Sequence, residues 1–569
     1  MALDCASTSI HCGARIPIGH HRPRSNPFVL LSVLLVLLGL AFGPTPCQGY
    51  TNLTIGLLLP TSASLNIISP NYVSTVGDLV TIVNFIAEAW NDRVAHPAGY
   101  HFNLAQYDSK FTRVGATTAA LEANADGAVA YLGEYTSSNT IPAALAGGYL
   151  KTPQCSGAAT SDDLSNKSDF PLFFRTIPPD SAQGKFIAQL CIHWGWTTVN
   201  LVASNEAYGL SISATFLEQA QLLGIKIARS YLLEITWQPA DYSVIAAQLV
   251  TSNSRIVVAL GGADYFYGIY NATQRAGFGR DWVWIGPDSV ALLDSYLADA
   301  HLSPAQIELY TGILVAWPAE AAPGFAEYET MAASWTSVMG STNTDFASTP
   351  YALFFGSCFQ VVTTALMRII ARVGLPAVLA KSYSVTLDDY SIGVDTVSGH
   401  TSFDSSGNRE GIFEVRNLVS GVMKTAYRSD ASGDLTLISQ PAFPDGSNTV
   451  PPWEPIYTVS VPRESNPFVA TVLAASSLCI ASVIGSWAYI VYHRNTRRVK
   501  HLGIPFTSVL CLGLVVSLLS PALMAGNPSQ FKCAAQFWAL VLGYSLSLSS
   551  LWIRSYRIFK VFDKCVLFF

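Results

Sequence analysis

The residues best suited to chemistry are spread thinly along this chain. His96, His101, His193, His301 and His400 stand singly. No HExxH, GxSxG or Walker A pattern accompanies them, so a metalloprotease, a serine hydrolase and a P-loop enzyme all lack their reacting groups. The ten cysteines fall into three groups: Cys5, Cys12 and Cys47; Cys155, Cys191 and Cys358; Cys479, Cys511, Cys533 and Cys565. None is spaced as CxxC or joins histidine at zinc-site spacing. No metal, no cofactor and no enzymatic activity are expected. Three Asn-x-Ser/Thr sequons, at Asn52, Asn166 and Asn271, are candidate glycan attachment points.

The chain that carries these residues is 50% hydrophobic and only 12% charged, about half the charged fraction of an average soluble domain. Lys plus Arg number 32 against 38 for Asp plus Glu, a formal net charge of −6. That balance offers no basic excess to attract nucleic acid. The missing charge is explained by four apolar runs. The first, residues 28–42 (FVLLSVLLVLLGLAF), is 15 residues long and reaches about 22 Å as a helix, short of a hydrocarbon core. Arg15, Arg22 and Arg24 precede it and Cys47-Gln48-Gly49 follow it, the layout of a secretory signal peptide over 1–49. An uncleaved anchor is the alternative reading.

The other three runs, 467–492, 502–526 and 533–553, are each long enough to span a bilayer. Arg494, Arg497, Arg498 and Lys500 follow the first, and Arg554, Arg557, Lys560 and Lys564 follow the third, whereas Lys532 stands alone after the second. The positive-inside rule then predicts a cytoplasmic first loop and C-terminus, with the segment before Pro467 outside at the plasma membrane. All three sequons fall in that external part. So do Cys155, Cys191 and Cys358, which allow one disulfide and one free thiol without saying which two pair.

Residues 50–455 alternate strand-like runs (54–59, 102–107, 129–132, 198–202, 255–260, 282–285 and 312–316) with helical patterns such as 79–91, 212–223 and 265–276. This alternation predicts parallel sheets covered on both faces. About 400 residues exceed one such core, so two lobes are expected, with a ligand cleft at the carboxyl ends of the strands.

Several segments carry a family resemblance: 158–165 (AATSDDLS), 173–183 (FFRTIPPDSAQ), Trp194-Gly195-Trp196, Tyr208-Gly209, 277–288 (GFGRDWVWIGPD), Ser398-Gly399 and 403–407 (FDSSG). With them the external part resembles the α/β two-lobed type I periplasmic-binding-protein fold (Venus flytrap) of class C G-protein-coupled receptors, followed by all-α transmembrane helices. The resemblance runs from about residue 53 to the end of the chain. It implies a cell-surface receptor, homo- or heterodimeric, that closes on a small amino-acid-type ligand and signals to a G protein.

In such receptors five features hold an α-amino acid, and the resemblance assigns them here in order. Ser137, where a strand-end loop enters a helix, offers a hydroxyl and backbone N–H groups to a carboxylate. Thr160 and the backbone of Ala158 give a second carboxylate contact, although many relatives carry Ser where Ala158 stands. Asp180 accepts the ligand ammonium, Tyr208 covers it with its ring, and Asp288 is a second acceptor. Each position also has a plainer reading: an N-cap for Ser137, a capping box for Asp180 with Gln183, packing for Tyr208, and a Gly-Pro-Asp-Ser turn for Asp288.

The cysteine-free linker at 456–466 resembles the GABA-B-like branch. So do His493-Arg494-Asn495, 500–505 (KHLGIP) and 533–538 (CAAQFW). Arg554 takes the place of a Lys that in this branch pairs with an acid on a sixth helix. Residues 467–569 thus read as part of a seven-helix domain, and the expected sequence continues beyond Phe569. The alternative function is a truncated, membrane-tethered binding protein acting as a decoy or non-signalling dimer partner.

Overall fold

Strand β1, Thr51–Leu59, shows how the first lobe is organised. Leu53, Ile55, Leu57 and Leu59 point to one face, where they pack with the helices Pro70–Trp90 and Ala352–Val373. Leu58 points to the other, against Ala116, Ala119, Ala120 and Ala123 of the helix Arg113–Ala125. That period of two, apolar on both sides, is what a doubly covered strand requires. On the alanine side Gly56 keeps the approach close: a Cβ there would stand 2.9 Å from that of Ala123. The computed structural model describes residues 49–62, 70–234, 239–293, 297, 302–339, 346–347, 349–391, 393–430, 433–455, 467–500, 502–524 and 530–566. Apart from Gly49, the expected signal peptide lies outside them, as does the expected linker.

The chain divides into two compact units, Met1–Pro455 and Ile456–Phe569. Among the described residues the first unit contains two large sheets and a small antiparallel pair, β11 (Val394–Thr396) with β12 (Gly399–Thr401). One large sheet joins β1 to β2 (Tyr100–Asp108), β3 (Ala130–Gly133), β4 (Gln154–Ser156) and β5 (Phe173–Arg175) in the order β2-β1-β3-β4-β5, every pair parallel. The second has eight strands. Its parallel part holds β6 (Thr198–Ser204), β7 (Lys226–Leu233), β8 (Ile256–Leu260), β9 (Val283–Gly286) and β10 (Leu314–Pro318). An antiparallel extension of β13 (Phe413–Val419), β14 (Val422–Ser429) and β15 (Leu435–Leu437) continues from β10. The expectation of parallel sheets thus holds for the five-stranded sheet and not for the eight-stranded one. Ser420-Gly421 joins β13 to β14 with both residues at positive φ, a two-residue hairpin turn that permits antiparallel pairing.

The lobes exchange chain three times. After β5, Pro178-Pro179 leads into the helix Asp180–His193 of the second lobe. After β10 the chain returns to the first lobe for the helices Ala326–Met339 and Ala352–Val373. It crosses again between β12 (Gly399–Thr401) and β13. The helix Ala352–Val373 is apolar enough to cross a membrane, with a mean hydropathy of 1.6, yet 83% of its apolar window is buried inside this unit. It is a core element. Cys358 on it bonds Cys155 of β4 across 203 residues, a closure worth on the order of 5 kcal/mol by loop entropy. Cys191 keeps its thiol, buried in the second lobe.

The second unit is helical: Pro467–Tyr492, Arg497–Lys500, Ile504–Leu518, Ser520–Met524 and Gln530–Val566. Its three long apolar helices are of membrane-spanning length and composition. The second expected run breaks at Leu519, ahead of Pro521, whose ring disfavours a continuous helix. Gly513 and Gly543 let two helices meet closely; a Cβ on either would lie 2.7 Å from the other's carbonyl oxygen. Arg554 lies half-buried on the last helix.

Candidate ligand-binding site

The first-lobe wall is built from the loops that leave neighbouring strands β3 and β4. Glu134 anchors the first loop. Its buried carboxylate accepts from Ser109 Oγ at 2.5 Å and from the Thr136 N–H at 3.0 Å. Thr136 caps the helix Ser137–Tyr149, so Ser137 is its first residue and not its cap. In the second loop Ser156 Oγ accepts from the N–H groups of Ala158 (3.2 Å) and Ala159 (3.0 Å). The Ala158 N–H is therefore already engaged. Ser137 Oγ accepts from the Ser161 N–H at 3.1 Å, which ties the two loops together. Behind them the buried Arg175 donates to the carbonyls of Ala159 (3.2 Å) and Ser161 (2.8 Å), to Ser165 Oγ and to Asn408 Oδ1. Its charge holds the loop in shape from the inside.

The second-lobe wall begins at Asp180. Pro179 occupies the N-cap position, and the Asp180 side chain makes no capping bond. Gln183 Nε2 donates instead to the Ala316 carbonyl at 2.8 Å, so no capping box forms. The Asp180 N–H donates to the Thr160 carbonyl at 2.9 Å, which brings the two residues together. Asp180 is 0% exposed, and no donor meets either of its carboxylate oxygens in good hydrogen-bond geometry, although the Thr160 and Ser211 hydroxyls stand close by. Burial, then the like charges of Asp162 and Asp288, hold its carboxyl well above the usual range, against the opposing pull of the Thr160 and Ser211 hydroxyls.

Tyr208 and Asp288 stand at the carboxyl ends of β6 and β9, where an open α/β sheet presents ligands. Glu206 sets the position of Tyr208, capping the helix Ala207–Leu223 by accepting from the N–H groups of Tyr208 and Gly209, both at 2.8 Å. The Tyr208 hydroxyl donates to Asp288 Oδ1 at 2.5 Å, and that of Tyr351 donates to Oδ2 at 3.0 Å. Asp288 is thus held by two phenols.

Tyr351 was not legible as a site residue. It caps the helix Ala352–Val373 in a left-handed conformation, φ 68°, which costs a non-glycine residue on the order of 1 kcal/mol. Glu320 offsets that cost by accepting from the N–H groups of Tyr351 (3.0 Å) and Leu353 (2.6 Å). Burial pushes the Glu320 carboxyl up to about 7. The Tyr351 ring meets Tyr135 edge-on at 5.3 Å and lies 5.2 Å from Trp317. The only sequence sign was an isolated acid at 320 ahead of an unbroken apolar helix.

The lobes touch directly around this cluster. Asp162 of the first accepts from Ser181 Oγ at 2.7 Å, and its N–H donates to Ser211 Oγ at 2.9 Å. The structure therefore brings Ser137, Ala158 and Thr160 onto one wall and Asp180, Tyr208 and Asp288 onto the other. The sequons lie apart. Asn52 and Asn166 are exposed, while Asn271 is half-buried in the helix Ala263–Arg275 and accepts from the Tyr310 hydroxyl at 2.5 Å.

Comparison with known proteins decides the family. Residues 91–421 match the receptor family ligand binding region, and residues 463–566 match the seven-transmembrane family of sweet-taste and other class 3 receptors. The chain belongs to the class C receptors. It is 24% identical over 452 residues to metabotropic glutamate receptor-like protein E of Dictyostelium discoideum, covering 76% of this chain and 52% of that one. Human metabotropic glutamate receptor 8 is 30% identical over 142 residues, 25% of this chain and 16% of that receptor. The class C chain thus spans about half the length, or less, of these curated relatives. Its fold is that of a leucine binding protein, LivK, from Thermotoga maritima: a TM-score of 0.52 at 16% identity, over 66% of this chain and 98% of the other. The relatives are receptors, not enzymes.

Proposed function

We propose that this chain carries the ligand-binding region and membrane helices of a G-protein-coupled receptor, with its cleft outside the cell, that binds a small amino acid. One observation carries the reading: a fully buried carboxylate, Asp180, whose oxygens no donor meets in good hydrogen-bond geometry. A buried charge without a partner costs several kcal/mol, and a ligand ammonium would relieve it. Ser137 and Thr160, on the facing wall, offer hydroxyls to the ligand carboxylate. A ligand that touches both walls favours the closed arrangement by its additional contacts there.

The GABA-B-like arrangement is supported by the cysteine-free sequence between Pro455 and Pro467. Arg494, Arg497, Arg498 and Lys500 support a cytoplasmic first loop. Dimerisation and G-protein coupling belong to the same proposal and are supported by membership of the class. The test is calorimetry of the full chain in detergent with amino acids and GABA. Ser137→Ala and Asp180→Ala are each expected to weaken binding more than tenfold, about 1.4 kcal/mol. Wild-type binding by both variants would remove the proposed site.

A further inference from the structure

We propose that the cleft selects amino acids with a single carboxylate and an uncharged, apolar remainder, and rejects dicarboxylic ones. The inference rests on the reading of the cleft as an amino-acid site and narrows its ligand class.

The first argument is charge. Asp162 and Asp288 both act on the charge of Asp180. Glu320 adds a further buried carboxylate beside Tyr351. The cations whose charge reaches this group are committed elsewhere. Arg175 spends its guanidinium on Ala159, Ser161, Ser165 and Asn408. Arg409 donates to the Thr176 carbonyl and to Ser398. Arg416 lies over the Trp317 ring at 4.7 Å and donates to Glu414.

Lys167, in the stretch that supplies Thr160 and Asp180, is committed as well, donating to the carbonyls of Leu164, Phe170 and Phe173. No Lys or Arg occurs at 50–92, 114–150, 186–225 or 281–367, the stretches that supply Tyr135, Ser137, Tyr208, Asp288, Trp317, Glu320 and Tyr351. A second ligand carboxylate would enter a group of buried carboxylates whose neighbouring cations, among the described residues, Lys167, Arg175, Arg409 and Arg416, are already engaged. Like charges in a partly dry site repel strongly.

The second argument is shape. Tyr135 and Trp317 both pack on Tyr351, whose hydroxyl shares Asp288 with Tyr208. Four rings around the amine-accepting carboxylates suit an apolar body, through contact area and quadrupole attraction to the ammonium.

The test is titration calorimetry of the full chain in detergent at one pH, with L-leucine, L-phenylalanine and GABA against L-glutamate and L-aspartate. At least one of the first three is expected to bind tenfold or more tightly than either dicarboxylate, and Asp180→Asn to abolish that heat while thermal unfolding stays cooperative. A preference below tenfold, or one for a dicarboxylate, overturns the inference and leaves the amino-acid reading standing. Binding that survives Asp180→Asn overturns it by placing the ligand elsewhere. No heat with any of the five, from a chain that unfolds cooperatively, overturns both.

Discussion

The Tyr351 hydroxyl donates to Asp288 Oδ2 at 3.0 Å, so the residue that opens the buried helix Ala352–Val373 is bonded to the carboxylate at the end of β9. The first crosses from the first-lobe side and the second belongs to the second lobe. A helix in one lobe is thereby joined to a buried acid in the other.

Removing that bond is expected to show in binding. Tyr351→Phe and Tyr208→Phe each delete one of the two phenols on Asp288, a charge-assisted bond of about 1.5–3 kcal/mol in the general case. Each variant is expected to weaken amine binding several-fold by calorimetry. In the double variant the Asp288 carboxyl, which burial already raises, is expected to rise further, because the two hydroxyl bonds that oppose the rise are gone. Unchanged affinity in all three would show that Asp288 does not face the ligand.

Ligand binding is expected to depend on pH. Burial and like charge raise the Asp180 carboxyl, so part of the unliganded protein carries a proton there that an ammonium must displace. Binding therefore tightens as pH rises through the folded-state range of Asp180 and releases a proton. Calorimetry in two buffers of different ionisation heat measures that proton directly. Equal heats in both would rule the linkage out.

The unliganded protein carries the opposite dependence. Glu134 and Glu320 are each pushed up to about 7 from an ordinary 4.5 by burial. A carboxyl raised on folding adds stability that is present below about 4.5 and lost as pH rises through 7, about 3 kcal/mol for each group. Glu320→Gln is expected to flatten the fall in melting temperature between pH 5 and pH 8. A slope identical to that of wild type would place the effect elsewhere.

The disulfide is expected to matter and the third thiol not. Cys358→Ser removes the link to Cys155 and is expected to lower the melting temperature by several degrees and abolish its dependence on reductant. Cys191→Ser leaves that dependence intact, since its thiol is unpaired.

Glycan occupancy separates the sequons. Asn52 and Asn166 are exposed, whereas the Asn271 amide is half-buried on a helix and held by Tyr310. Glycopeptide mass spectrometry is expected to find sugar on the first two and none on Asn271.

Much of the frame was legible because it depends on local pattern. All seven strand-like runs read from the sequence fall on strands β1, β2, β3, β6, β8, β9 and β10, and the three helical patterns fall on helices. The short strands β4, β5, β11 and β12, the edge strand β7 and the antiparallel strands β13 to β15 escaped that reading. Three-residue strands carry too little periodicity, and β7 and β14, largely exposed or half-buried on both faces, offer no clean alternation. The helix Ala352–Val373 posed the reverse difficulty. Its composition suits a bilayer as well as a protein core, and only packing on β1 and β4 separates the two.

Sequence by itself determined the two-part plan and the apolar helices after Pro467, because each depends on spacing or composition within a short window. It left open which cysteines pair, whether Asp180 caps a helix, and that Tyr351, Glu320 and Arg175 belong with the site. Those facts join residues tens to hundreds of positions apart. Only folding brought Asp180 against Thr160 with its carboxylate buried, and only folding placed Tyr351 on Asp288. Burial and proximity belong to the assembled lobes, and no local stretch of chain encodes them.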